Sequence, residues 1–96
     1  MASVKWLAEA IVDFERLFMF LENKDTNAAA RVANCILKGS SILKSSPRIG
    51  RPMSDDTGRR ELFVNFGAGA YVLRYILEND NSVVIIRVWH SKENRL

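Results

Sequence analysis

The sequence predicts an α+β fold of element order β-α-α-β-β-β, a helical hairpin packed on a small antiparallel sheet, and three observations predict it. Apolar residues recur at three- and four-residue steps from Leu7 to Leu43, with one break at Asn23-Lys24-Asp25-Thr26. From Arg60 onward the period drops to two. Two turn-forming clusters, Gly67-Ala68-Gly69 and Asn79-Asp80-Asn81, divide that second half into three runs.

Residues 2–6 form a short first strand, with Val4 and Trp6 on one side of the alternation. The first helix follows. Leu7, Ala10, Ile11, Phe14, Leu17, Phe18 and Leu21 make its apolar stripe, and Glu9, Asp13, Arg16 and Glu22 take the other side. Met19 and Phe20 spill outside that stripe, and the loop at 47–58 is expected to cover them. Asp25 or Thr26 caps the second helix by accepting from the free amides of its first turn.

The second helix carries Ala29, Val32, Ala33, Ile36, Leu37, Ser40 and Leu43 at helical spacing. Its small residues let a partner helix approach closely, and so short a connection makes the pair an antiparallel hairpin. Cys35 lies within it and reads as a small packing residue. Ser45-Ser46-Pro47 ends the helix, because proline disfavours a helical conformation in the residue before it. Residues 47–58, rich in turn formers and charge, read as a loop. Leu62, Val64 and Phe66 then share one face of a strand, and Tyr71, Leu73, Tyr75 and Leu77 alternate along the next. The run from Val83 to His90 completes a three-stranded antiparallel meander, with the first strand added at an edge.

At 96 residues the chain is one domain, residues 1–96, with apolar and charged contents of 48% and 26% that suit a globular fold. The lone Cys35 excludes an intramolecular disulfide and fits a reducing cytosol. The N-terminal stretch carries Glu9, Asp13, Glu15 and Arg16, which suits neither a signal peptide nor a membrane span, so the expected location is cytoplasmic. No Gly-rich phosphate loop, paired acidic motif or zinc-type Cys/His spacing appears, so neither a cofactor nor a metal is expected. Net charge is +3, unevenly spread. Residues 1–25 hold five acids against three bases, whereas no acid stands between Asp25 and Asp55, where Arg31, Lys38, Lys44, Arg48 and Arg51 fall. A basic middle and tail suit a polyanion or an acidic protein segment; the plainer alternative is a solvated face.

Several short motifs follow one another in a telling order. Trp6, Ala10 and Asp13-Phe14 open the first helix, and Pro47-Arg48-Ile49-Gly50-Arg51-Pro52 fills the loop. Arg60-Glu61-Leu62 starts a strand, Tyr71-Val72-Leu73-Arg74-Tyr75 forms the next, and Val88-Trp89-His90 with Arg95 closes the chain. In this order and at this length the chain resembles, over nearly all of it, toxins of the RelE/ParE superfamily from bacterial type II toxin–antitoxin modules. It is more similar to the ParE-like branch. The resemblance implies a RelE/ParE-like fold and neutralisation by a cognate antitoxin whose C-terminal segment wraps the toxin. For a ParE-like member it implies DNA gyrase as the target, with no catalysis by the toxin. For a RelE-like member it implies cleavage of mRNA in the ribosomal A site. A toxin-fold protein that only binds its antitoxin is a third outcome.

Metal-free RNA cleavage needs a base for the 2′-hydroxyl, cations for the phosphorane and an acid for the leaving oxygen. His90, the only histidine, has the reference pKa for either proton role, Arg60, Arg74 and Arg87 can grip phosphate, and Tyr75 can stack on a base. Under strict alternation Arg74 shares a face with Val72 and Ile76, and Arg87 with Ile85 and Trp89, so one of the two lies on the solvated face. Arg48, Arg51, Arg60, Arg74, Arg87, Trp89, Lys92 and Arg95 make the wider set for a partner or an anion. Two departures weaken the nuclease expectation: the middle strands carry no lysine pair, and Ser91 rather than an aromatic follows His90.

Overall fold

The computed structural model describes residues 1–93. Its elements are β1 (Ser3–Trp6), α1 (Ala8–Glu22), α2 (Thr26–Ser45), β2 (Arg51–Pro52), β3 (Arg60–Phe66), β4 (Gly69–Asn79) and β5 (Ser82–His90). The five strands form one sheet in the order β1-β5-β4-β3-β2. β3, β4 and β5 are the expected antiparallel meander. β1 joins at the edge and runs parallel to β5, pairing Ser3 with Ser82 through Trp6 with Ile85. The loop between α2 and β3 holds one feature that its composition concealed: Arg51 and Pro52 form a two-residue strand against Glu61 and Arg60.

The helices pack on one face of the sheet as an antiparallel hairpin. Asp25 caps α2, its carboxylate accepting from the backbone N–H groups of Asn27 and Ala28 at 3.0 and 3.2 Å. Between the layers lie Ala10 and Leu17 of α1, Val32, Ile36 and Leu43 of α2, and Leu73, Tyr75, Val83, Ile85 and Val88 of the sheet. Gly39 sets the closeness of α2, because a Cβ there would stand 2.9 Å from a Val64 methyl and 3.1 Å from one of Leu73. Cys35 packs beside the core with its thiol toward the carbonyls of Val64 and Asn65, and burial pushes its pKa up.

Asp13 departs from its expected solvent-side position: it is only 4% exposed. β1 stops pairing at Ile85, leaving the next stretch of β5 with a free edge. The Asp13 carboxylate fills that edge, accepting from the backbone N–H of Val88 at 2.9 Å and from two guanidinium nitrogens of Arg87 at 2.8 and 3.2 Å. It ties α1 to the sheet and raises the Arg87 pKa further, chiefly through their hydrogen bond.

The loop between α2 and β3 is held from below. Tyr75, fully buried, accepts from the Gly50 N–H at 2.8 Å through its hydroxyl, and Arg60 donates to the carbonyls of Arg48 and Gly50 at 3.0 and 2.8 Å. A Cβ at Gly50 would fall 2.5 Å from that hydroxyl, so only glycine fits. So placed, the loop does not cover Met19 and Phe20, which remain 62% and 60% exposed, contrary to expectation.

Replacing Asp13 by Ala removes the anchor and strands the Val88 N–H and the Arg87 charge. Urea denaturation is expected to show a loss of about 2–3 kcal/mol, below the loss for a wholly buried pair because Arg87 is partly exposed. Asp13→Asn, which keeps one acceptor, is expected to lose about half as much.

Candidate functional site

Strict alternation is broken in β5. Tyr75 pairs with Ile85 but Arg74 pairs with Arg87, so Ile86 is the extra residue of a bulge. The bulge takes Arg87 off the core-facing row of Ile85 and sets it opposite Arg74, which corrects the expectation that the two arginines occupy different faces. On that outer face Arg74 donates through Nε and Nη2 to one Glu61 carboxylate oxygen, at 3.0 and 2.8 Å, and lies 4.7 Å from the Trp89 ring centre. The Glu61–Arg74 pair is mostly shielded from solvent and Trp89 is buried.

The remaining expected residues are scattered. Arg48 pairs with Asp80 at 2.7 Å on an exposed loop, and Arg51 lies 5.2 Å over the Phe63 ring. Arg60 holds loop carbonyls, Tyr75 is buried beneath the loop, and Arg87 is joined to Asp13. Arg95 lies outside the described residues. Arg51 lines a recess with Pro52, Met53, Ser54 and Glu61, while His90 and Lys92 reach a separate concave surface.

That surface is a cavity of about 570 Å³ between α1 and the end of β5. Leu17, Phe20 and Leu21 line it from the helix, with Tyr71 from β4. His90, Lys92 and Glu93 close it on the tail side and Arg16 on the helix side. The His90 ring meets the Tyr71 ring edge-on at 5.0 Å and rests against Gly69. Its Nδ1 accepts from the Lys92 N–H at 3.1 Å, so the neutral ring carries its proton on Nε2.

Glu93 organises the tail. One carboxylate oxygen accepts from the His90 N–H at 2.9 Å, and Arg16 donates to the two oxygens at 2.6 and 3.4 Å. Ser91 continues the sheet by exchanging bonds with Ala70, N–H to carbonyl at 2.8 Å and amide to hydroxyl at 3.0 Å. Lys24 adds a cation 4.2 Å over the Phe20 ring. The cavity therefore has an apolar floor and a mainly cationic rim with one carboxylate. Sequence reasoning missed Arg16 and Glu93. Arg16 stands four residues before Phe20, on the same helix face, but nothing local marks Glu93 as its partner.

Among the described residues, no group of three His, Cys, Asp or Glu side chains is placed to hold a metal ion, and no helix is long and apolar enough to cross a membrane. Phe20→Ser alters only an exposed side chain of the cavity, so its melting curve is expected to match the parent to within about 0.5 kcal/mol. Arg74→Ala is expected to cost about 1–2 kcal/mol in urea denaturation, since it leaves the shielded Glu61 carboxylate unpaired.

Comparison with known proteins places this architecture. The family model for the ParE toxin of type II toxin–antitoxin systems (parDE) matches residues 4–95. Two relatives come from Caulobacter vibrioides. Toxin RelE1 is 39% identical over 83 residues, 86% of each chain. Toxin RelE3 is 39% identical over 95 residues, covering 99% of this chain and all of that protein. Among solved structures, the chromosomal ParDE toxin–antitoxin system from P. aeruginosa superposes with a TM-score of 0.71 at 17% identity, covering 92% of this chain and 94% of that one. YafQ from E. coli superposes with a TM-score of 0.51 at 15% identity, covering 95% and 94%. Both share the fold of two helices on a mostly antiparallel five-stranded sheet. The chain belongs to the ParE toxin family of the RelE/ParE superfamily and is the toxin of a type II toxin–antitoxin module, whose partner is an antitoxin.

Proposed function

We propose that this toxin arrests growth in the cytoplasm by binding DNA gyrase, without catalysing a reaction, and that its cognate antitoxin prevents that contact. What supports this reading is the state of the sheet arginines. Arg60, Arg74 and Arg87 are engaged by loop carbonyls, Glu61 and Asp13. Metal-free cleavage of RNA requires cations turned toward the scissile phosphate, beside a proton-transfer pair. His90 has Lys92 nearby, but Arg16 is held by Glu93 and the neighbouring ring is the apolar face of Tyr71. Large exposed side chains on the hairpin, Ile11, Val12, Met19 and Phe20, suit a protein whose work is contact.

The second reading is ribosome-dependent cleavage of mRNA. The names of the two Caulobacter relatives favour it, as does the position of His90 at a cavity rim beside Lys92. On this reading His90 transfers the proton and Arg60 and Arg74, released from their present partners, meet the phosphate.

The test uses the chain freed of antitoxin in two assays, supercoiling by gyrase and mRNA cleavage on programmed ribosomes. The expected result is inhibited supercoiling with intact mRNA, and a His90→Ala variant within about twofold of the parent, since binding gyrase involves no proton-transfer step. Codon-dependent cleavage that falls about 100-fold or more in His90→Ala would replace the first reading by the second. Silence in both assays would leave a protein that only binds its antitoxin.

A further inference from the structure

The acid-free middle of the chain supplies one side of a helix. Asn27, Arg31, Asn34, Lys38 and Ser41 follow one another at four- and three-residue steps along α2, all of them exposed, over about 21 Å of helix. The opposite side of α2, with Val32, Ile36, Gly39 and Leu43, is buried. No Asp or Glu occurs in α2, so no cation there has an acidic partner on its own helix. Among the described residues Arg31, Lys38 and Lys44, in the last turn, form no ion pair at all. A face built only for solvation mixes both signs, as α1 does with Glu9, Glu15, Arg16 and Glu22. Arg31 and Lys38 stand on the β3 side of α2. Cys35, between them in sequence, turns its thiol to the carbonyls of Val64 and Asn65, and the Lys38 ammonium opposes the rise that burial causes in its pKa. Leu37 is turned the other way, where it lines a recess with Trp6, Ile11 and Phe14.

We infer that this stripe is a docking face for duplex DNA, which α2 meets through the phosphate backbone without reading base sequence. The choice of partner follows from what the stripe holds and lacks. A protein partner needs an apolar or aromatic anchor at the centre of the interface, and the stripe has none. A single strand needs exposed rings on which its bases stack, and no aromatic residue occurs in α2. An A-form RNA duplex has a major groove too narrow for a helix, whereas that of B-DNA admits one. What the stripe offers is two unpaired cations with amide and hydroxyl groups beside them, the side chains that contact phosphate oxygens. Arg31 and Lys38 are two turns apart, about 10 Å along the axis, so they meet separate phosphates. This inference goes beyond the gyrase reading and does not rest on it.

The test measures fluorescence anisotropy of a short labelled DNA duplex of mixed sequence, titrated with the full antitoxin-free chain at several salt concentrations. Binding is expected at low salt and weakens about 10- to 40-fold between about 50 and 200 mM, the slope of two to three phosphate contacts. Arg31→Gln and Lys38→Gln are each expected to weaken binding several-fold and to lower that slope by about one. Lys5→Gln removes the same charge from β1 and is expected to change neither. Ser41→Glu sets an anion on the stripe and is expected to weaken binding as well, which carries the test should a Gln variant melt early. No binding at the lowest salt would overturn the inference, as would a slope that both Gln variants leave unchanged or an equal loss in Lys5→Gln. Equal affinity for an RNA duplex of the same sequence, or for the single DNA strand, would also overturn it. Gyrase is absent from this assay, so its outcome is separate from that of the supercoiling test.

Discussion

The contact of Asp13 with the free edge of β5 is the constraint on which the architecture depends. A parallel strand of four residues cannot cover a nine-residue neighbour, so β5 emerges beyond β1 with unpaired amides. An exposed edge there would leave α1 nothing to register against except apolar side chains, which slide. The buried carboxylate fixes the helix at one height along the strand, because only one position satisfies the Val88 N–H and Arg87 together. Everything that lies further along α1, from Arg16 to Leu21, is thereby set opposite the end of the sheet. The cavity is a consequence of that alignment.

A second set of polar anchors works on the opposite edge. Tyr75 and Arg60 reach from the meander to the backbone of Arg48 and Gly50, so the stretch of loop leading into β2 is fixed against the sheet. These side chains are types that recognise phosphate or bases in other settings. Here their hydrogen-bonding capacity is directed inward, and the difference bears on chemistry: a guanidinium already engaged by carbonyls or a carboxylate must break those bonds before it meets a substrate.

The fold was legible because it is written in periodicity. Both helices, the three-stranded meander and the edge position of the first strand are visible in spacings of three to four and of two, and the Asp25 cap is a local signal. What escaped depends on partners far away in the chain. Asp13 reads as a solvated helix residue, since the amide that needs it is 75 positions distant. Arg87 was assigned to the row of Ile85 because the Ile86 bulge has no signature in an unbroken apolar run. Arg51 and Pro52 form too short a strand to register as a period. Of the site, His90 and Lys92 were legible as an unusual strand ending, whereas Arg16 and Glu93, 77 positions apart, become meaningful only once the fold brings them together.

The two carboxylates at the end of β5 also bear on how the protein survives crowding. A sheet edge with open amides is a template on which another chain can stack as an extra strand and so start aggregation. On β5 the edge N–H groups of Val88 and His90, which β1 does not pair, each face a carboxylate, which offers acceptors but no continuing backbone, and each carboxylate is neutralised by an arginine. Growth of a cross-strand assembly from this side would have to evict two ion-paired acids first. The same edge that orders the helix thus keeps copies of the toxin from polymerising through it.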